Sequence, residues 1–378
     1  MKIALIAPSR IPSRTANSMQ TLKMAQAFTL LEHQVGVFVP GTDPQIAWRE
    51  MARHYGLRTE FHIQWVPTRM RTRGYGFGLK AYHAARKWGA DLTYTRQPQA
   101  AAYSSLRGFP TILEVHDLPR GRVGPRLFRN YLNNPGAQRL VVITQALADD
   151  LTRRLGAPHQ PPFTLVLPDG VDLARYRDLP DAHHARQELG LAKGFTAGYC
   201  GHLYAGRGVE VLLQIAERLP GINFLFVGGE PADVKRVRAR VQSAGLSHVQ
   251  LTGFVPNADL PMFQAACDIL LMPYQSVVAA SSGGNIAAYL SPMKMFEYLA
   301  CGRAIVSSDL PVLQEVLNES VAVIVPAADV DAWEAALQSL QASAPRRTAL
   351  GQNARMLVQE YTWEQRATHI LEGIQVQS

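Results

Sequence analysis

Short apolar segments of strand type alternate with helical stretches along almost the whole chain, and this alternation constrains the fold more than any other feature. A first series runs KIALIAP, QVGVFVP, LTYTRQ, PTILEVHD, RLVVITQ and FTLVLPDG, with helix-periodic segments such as SMQTLKMAQAFTLLEH between them. A second begins at FTAGYCGHL and continues through NFLFVGG, VQLTGFV, ILLMPY, AIVSSD and VAVIVP. Strands separated by helices of ten to fifteen residues need crossover connections, which makes the sheets parallel and covers both of their faces. The second series restarts near residue 195, after the polar stretch LPDAHHARQELGLAKG, and 378 residues suffice for two domains. The expectation is an α/β chain of two doubly wound domains joined near residues 178–195, with ligands bound beyond the carboxyl ends of the strands in a cleft between the domains.

Composition narrows the class. No apolar run approaches the roughly 18–20 residues that a membrane span needs. The opening MKIALIAP is broken by Pro8 too early for a signal peptide and suits a first strand. Cys200, Cys267 and Cys301 lack metal-type spacing and lie in apolar surroundings, as buried thiols of a reducing cytoplasm would. The net charge of +8 is uneven: residues 1–180 hold 24 Lys+Arg against 12 Asp+Glu. The basic residues gather in RTRGYGFGLKAYHAARKWG and RGRVGPRLFRNYL, interleaved with Tyr75, Phe77, Trp88, Phe128 and Tyr131. That pattern suits an anionic partner (lipid headgroups, a phosphorylated acceptor or nucleic acid, though no nucleic-acid recognition motif is present) or a merely soluble basic surface, and an anionic bilayer is the partner expected here. The attachment expected is peripheral and salt-sensitive.

One residue is out of place. In AAYLSPMKMFEYLACGRAIVSSDLP, Ser291 suits an N-cap, Pro292 the first helical position and Gly302 the stop. Lys294 then falls in the first turn, where the helix dipole favours negative charge. Either it pairs with Glu297 three residues on, or the helix start awaits an anion. Other strand ends lean toward the anion. GYCGHLYAGRGVEVLL places Gly201 and Arg207 before a helix N-terminus, FVGGEP places Gly228 and Gly229 at another, and a small-residue loop with Gly283 and Gly284 leads into the Lys294 helix. Together they suit a diphosphate, with Glu297 free to accept hydrogen bonds from two vicinal hydroxyls, as on a ribose.

SPMKMFEYLACGRAIVSSDLPVLQEV, GHLYAGRGVEVLL, LTGFVPNADLPMFQAACDILLMP, VLPDGVDLARY and EVHD resemble glycosyltransferase family 4 over nearly the whole chain, most strongly from Gly198 to Pro326. The resemblance implies two Rossmann-like domains of the GT-B type: residues 1–180 on the acceptor side and residues 181–356 binding the nucleotide sugar. A closing helix in 357–378 would cross back to the first domain, its stripe of Trp363, Ala367, Ile370 and Leu371 needing cover. It further implies a retaining, metal-independent, cytoplasmic transferase that uses a nucleotide-diphosphate sugar, UDP most commonly, and no cofactor.

The residues that the resemblance marks are these. Arg207 and Lys294, with Ser291, would meet the diphosphate, Glu297 the ribose, and backbone from Gly253 through Val255 the base. His116 is the candidate catalytic contact to the donor sugar. His202 stands where an arginine is frequent, and Tyr289 where the first glutamate of a Glu-x7-Glu motif would fall. Ala16, Asn17 and Ser18 replace a family Gly-Gly pair, and Asn17, Ser18 and Arg96 are placed on the acceptor side. The expected acceptor is a lipid-linked or cell-surface glycan. A non-hydrolysing sugar-nucleotide epimerase and an inactive nucleotide-sugar-binding module are the alternatives. A glycosidase is disfavoured, because no paired carboxylates of the hydrolase type are evident.

Overall fold

The computed structural model describes residues 1–68, 75–279 and 285–374. The chain divides into two compact units, Met1–Asp169 with Trp363–Ser378, and Gly170–Thr362.

The first unit alternates β1 (Lys2–Ile6), α1 (Ala16–Leu30), β2 (Gln34–Pro40), α2 (Trp48–Tyr55), β3 (His62–Val66), α3 (Tyr75–Trp88), β4 (Leu92–Thr95), α4 (Pro98–Leu106), β5 (Thr111–Val115), α5 (Gly124–Asn133), β6 (Ala137–Val142), α6 (Gln145–Leu155) and β7 (Thr164–Val166). Among the described residues the strands form one parallel sheet in the order β3-β2-β1-β4-β5-β6-β7. The sequence reading missed β3, HIQWV, for a physical reason. It lies on the sheet edge, where His62 is exposed and Ile63, Gln64 and Trp65 are only half-buried, so it lacks the apolar run of a central strand.

The second unit contains α7 (Ala182–Glu188), β8 (Thr196–Cys200), α8 (Val209–Arg218), β9 (Asn223–Val227), α9 (Pro231–Ser243), β10 (Val249–Gly253), α10 (Leu260–Ala265), β11 (Ile269–Met272), α11 (Met293–Cys301), β12 (Ala304–Ser308), β13 (Ala322–Val325), α12 (Val330–Ala342) and α13 (Ala344–Leu357). Its sheet is parallel with order β10-β9-β8-β11-β12-β13. The central strands are largely apolar because both faces are covered. On β9, Phe224 and Phe226 enter one core with Leu212 and Trp333, while Leu225 and Val227 enter the other with Phe296 and Leu299.

The last helix, α14 (Trp363–Leu371), belongs to the first unit and packs on α1 with Trp363, Ala367 and Ile370 buried. The stripe read from the sequence thus finds its cover there. The first change of unit falls at Asp169, ahead of residue 180, because Val171 and Tyr176 already pack with Met295 and Phe296. The polar stretch read as a joint holds α7 instead. Arg186 in it donates to the Ala266 carbonyl at 2.8 Å and to Asp268 at 2.9 Å, which binds the helix into the second unit.

The aromatic side chains expected at a bilayer surface are largely core. Phe77, Phe128 and Tyr131 are buried, and the Trp88 ring is stacked on His62 with centroids 6.0 Å apart. The Tyr75 side chain lies outside the described residues. A period-3.6 stripe of aromatics between arginines is equally what a helix buries and what a bilayer takes, and here the sheet takes them.

Candidate functional site

The second unit reverses its winding between β8 and β11, the position where doubly wound sheets bind ligands. Gly201 ends β8 there, and its backbone (φ +143°) suits only glycine. A Cβ on Gly201 would stand 2.7 Å from Lys294 Nζ, so the missing side chain makes room for the lysine. Gly228 (φ +112°), at the end of β9, is held to the same standard, since a Cβ on it would meet the Gly201 carbonyl oxygen at 2.6 Å.

Lys294 is the second residue of α11, whose N-terminus has no side-chain cap. Ser291 does not cap it, because Pro292 takes the cap position with extended backbone. Gly302 ends the helix in the left-handed conformation, as read. The Lys294 ammonium is shielded from solvent and has no hydrogen-bond partner among the described residues. It rests 3.8 Å from the Tyr199 ring centre and 5.2 Å from that of Tyr274. Arg207 lies against the same Tyr274 ring at 5.2 Å and donates to its hydroxyl at 3.1 Å. Among the described residues neither cation meets a carboxylate, so the simple Lys294–Glu297 pair is not what the chain builds. Burial, and after it the charge of Arg207, lower the Lys294 pKa to about 7. Two shielded cations without an anion are costly unless a ligand supplies the charge.

Glu297 lies one turn further along α11, half-buried. Its two oxygens accept from Asn257 Nδ2 at 3.4 Å and Gln264 Nε2 at 3.3 Å, and Arg175 in turn donates to Asn257 Oδ1 at 2.7 Å. A carboxylate oriented by two long bonds keeps lone pairs for two further donors. Gly253 (φ +74°) ends β10 and its carbonyl accepts from the Gly228 amide at 2.9 Å, with half-buried Val255 just beyond. His202 stacks face to face on Tyr204 at 4.5 Å. Gly283 and Gly284 lie outside the described residues.

The first unit gathers a second group. Glu114 on β5 is fully buried, and its carboxylate accepts from Gln20 at 2.6 Å, from Arg366 at 3.1 Å and from the His116 ring. Burial pushes the Glu114 carboxyl up, but Arg366, His116 and their hydrogen bonds outweigh that and leave it below its usual value. Burial and the Arg96 charge lower His116 to about 4, so its imidazole is neutral near pH 7. Burial raises Asp169 to about 7. Glu114, His116 and Asp169 are close enough to share a cation. However, Glu114 already accepts from three donors, and the guanidinium groups of Arg96 and Arg366 oppose a further positive charge.

Two residues placed on the acceptor side have partners within the first unit. Arg96 is drawn into this group, donating to Gln20 Oε1 at 3.1 Å, with burial lowering its pKa to about 10. Ser18 is fully buried and its hydroxyl donates to the carbonyls of Ser13 and Thr15, which serves the loop that opens α1. Asn17 keeps a shielded side-chain oxygen without a partner among the described residues. Asp117, next to His116, pairs with Arg120 at 2.6 Å. Sequence reasoning missed Tyr199, Tyr274, Asn257, Gln264, Glu114 and Arg366. Only Tyr199 and Glu114, each two residues before a marked strand end, carried a signal, since alternate strand residues share a face.

Two doubly wound units with strand-end sites define the GT-B architecture, and solved structures agree. Anabaena HepE, solved in complex with UDP, superimposes with TM-score 0.75 over 98% of this chain and 99% of that one, at 19% identity. Sucrose-phosphate synthase from Thermosynechococcus elongatus gives 0.74 over 98% and 97%, at 21% identity. Residues 18–175 match the family model of glycosyltransferase family 4, and residues 194–343 that of glycosyl transferases group 1. The chain belongs to glycosyltransferase family 4 and is a glycosyltransferase. It is 24% identical to phosphatidyl-myo-inositol mannosyltransferase of Mycolicibacterium smegmatis, covering 96% of this chain and 90% of that protein. It is 27% identical to D-inositol 3-phosphate glycosyltransferase of Jonesia denitrificans, covering 78% and 68%. Among the described residues no helix is long and apolar enough to cross a membrane.

Proposed function

We propose that the chain moves a sugar from a nucleoside-diphosphate sugar, with retention, to a lipid-linked or cell-surface glycan. The observation that carries the reading is the pair Arg207 and Lys294, shielded, against one tyrosine ring, and without a carboxylate partner among the described residues. Negative charge builds on the departing diphosphate as the sugar leaves, and preorganised cations stabilise it there. Glu297 takes the ribose hydroxyls and His116 meets the transferred sugar. With the diphosphate charge met by side chains, activity should survive chelation of metal ions. UDP is the favoured nucleotide, in keeping with the UDP bound by the HepE neighbour, and a glycolipid acceptor is in keeping with the mannosyltransferase relative.

The test is incubation with labelled UDP-glucose, UDP-N-acetylglucosamine and GDP-mannose, with and without phosphatidylinositol vesicles and with excess EDTA. Transfer to a lipid or glycan supports the reading. Epimerised donor, or binding without turnover, overturns it. Exposed Arg120, Arg122, Arg126 and Arg129 supply charge for peripheral attachment to an anionic membrane, without help from the buried aromatic residues. Each basic residue at such a surface contributes about 1 kcal/mol. Flotation should therefore require anionic lipid and fail at high salt. Binding that ignores lipid charge would leave the basic half as a solubility feature.

A further inference from the structure

Glu114 is a fully buried carboxylate in a fold whose chemistry, as read above, does not use it. It has three partners, and the most distant in sequence is Arg366, 252 positions away on α14. That guanidinium is itself nearly inaccessible, at 4% for the residue. It reaches Glu114 from among the Leu167 and Pro168 carbonyls, to which it donates at 3.1 and 2.8 Å, and it touches the Tyr94 hydroxyl at 3.3 Å. A buried ion pair is weak evidence for stability, because hydrophobic side chains would fill the same space at less desolvation cost. Something else in the site must use the charge.

The His116 ring supplies the use. An ionised carboxylate only accepts, so the hydrogen bond between His116 Nε2 and Glu114 Oε1 requires the proton to sit on Nε2. In a neutral imidazole that makes Nδ1 the acceptor. Glu114 can be held ionised in a buried place because Arg366 stands against its other oxygen.

We propose that Glu114 and Arg366 are positioning residues for sugar transfer: α14 carries Arg366 to the Glu114 carboxylate, and Glu114 holds the His116 ring as the Nε2–H tautomer, leaving Nδ1 to accept a hydroxyl of the transferred sugar. The inference rests on the reading that His116 meets that sugar. It gives the returning helix a role in the chemistry beyond covering α1.

The full chain, labelled with 15N-histidine, tests this by nitrogen NMR near pH 7. Wild type should show His116 as the Nε2–H tautomer, and an Nδ1–H signal or an even mixture overturns the proposal without any variant. Glu114→Gln and Arg366→Gln should admit the second tautomer, and Arg366→Lys should restore the first in part. With UDP-glucose as probe, kcat for UDP release should fall about tenfold or more in Glu114→Gln, with KM within about twofold, as loss of orientation predicts. Should Arg366→Gln fail to fold, the wild-type spectrum, Glu114→Gln and Arg366→Lys decide. A folded Glu114→Gln with wild-type tautomer and kcat overturns the proposal, while a loss of kcat in His116→Ala keeps His116 at the sugar. If His116→Ala turns over like wild type, the reading of His116 fails, and the proposal with it.

Discussion

The ammonium of Lys294 stands 3.8 Å from the centre of the Tyr199 ring, whose own hydroxyl is turned away to donate to the His202 carbonyl at 2.6 Å. The ring offers the cation its negative face and no proton acceptor. A lysine held in this way is oriented without a counter-ion among the described residues, which leaves its charge for a transient anion to induce.

The first prediction follows from that environment. Burial, and after it Arg207, bring the Lys294 pKa from 10.5 to about 7. Between those values the folded chain binds fewer protons than the unfolded chain, so this group makes stability rise with pH across the window. Below about pH 7 both states carry the charge and its destabilising effect is complete. A bound diphosphate favours the charged lysine. Binding of UDP near pH 8 should thus take up a proton, and affinity should decline from about pH 7 to 9. Calorimetry in buffers of different ionisation enthalpy measures the uptake, and Lys294→Met should abolish it. Uptake that persists in that variant would assign the proton elsewhere.

Glu297→Ala should weaken UDP binding by about 2–4 kcal/mol, through two lost hydrogen bonds to a charged acceptor. A 2′,3′-dideoxy analogue of UDP should bind wild type and variant alike. If the analogue also loses affinity in the variant, Glu297 acts through its neighbours and not on the ribose.

Gly201→Ala would put a methyl 2.7 Å from Lys294 Nζ on backbone at φ +143°. Strain of this kind costs about 1–3 kcal/mol of stability, and the displaced lysine should cost UDP affinity as well. Combining it with Lys294→Ala should relieve the steric part, so the two substitutions should be less than additive in thermal unfolding. Strict additivity would mean that the backbone alone matters.

Arg366→Ala strands the Glu114 carboxylate in the core. Removing one partner of a buried pair costs about 3–5 kcal/mol, and hydrogen exchange should rise in β4 and β5 before it does in the second unit. Deleting residues 363–378 should do more, because it also uncovers α1 and the contacts of Trp363, Ala367 and Ile370. Equal protection in wild type and the deletion would show that α14 is dispensable to the first unit.

Much of this protein is legible in its sequence. The restart of the strand–helix alternation near residue 195, Gly201 and Gly228 at strand ends and the misplaced charge of Lys294 are local features, and local propensity acts over a few residues. The stripe on the last helix announced that a surface must cover it. The same kind of reasoning misled where a pattern serves two purposes. Phe77, Phe128 and Tyr131 between arginines look alike whether they face lipid or a sheet, and the edge strand β3 is too polar to look like its neighbours.

Partnership was beyond the sequence. Lys294 and Glu297 are three residues apart and yet unpaired, because Tyr199 from β8 and Tyr274 from beyond β11 take the lysine while Asn257 and Gln264 take the glutamate. Glu114 and Arg366 are 252 positions apart and paired. Periodicity and capping depend on neighbours along the chain. Which buried charge is answered, and which is left for a ligand, depends on segments that meet only when the sheets close and the last helix returns.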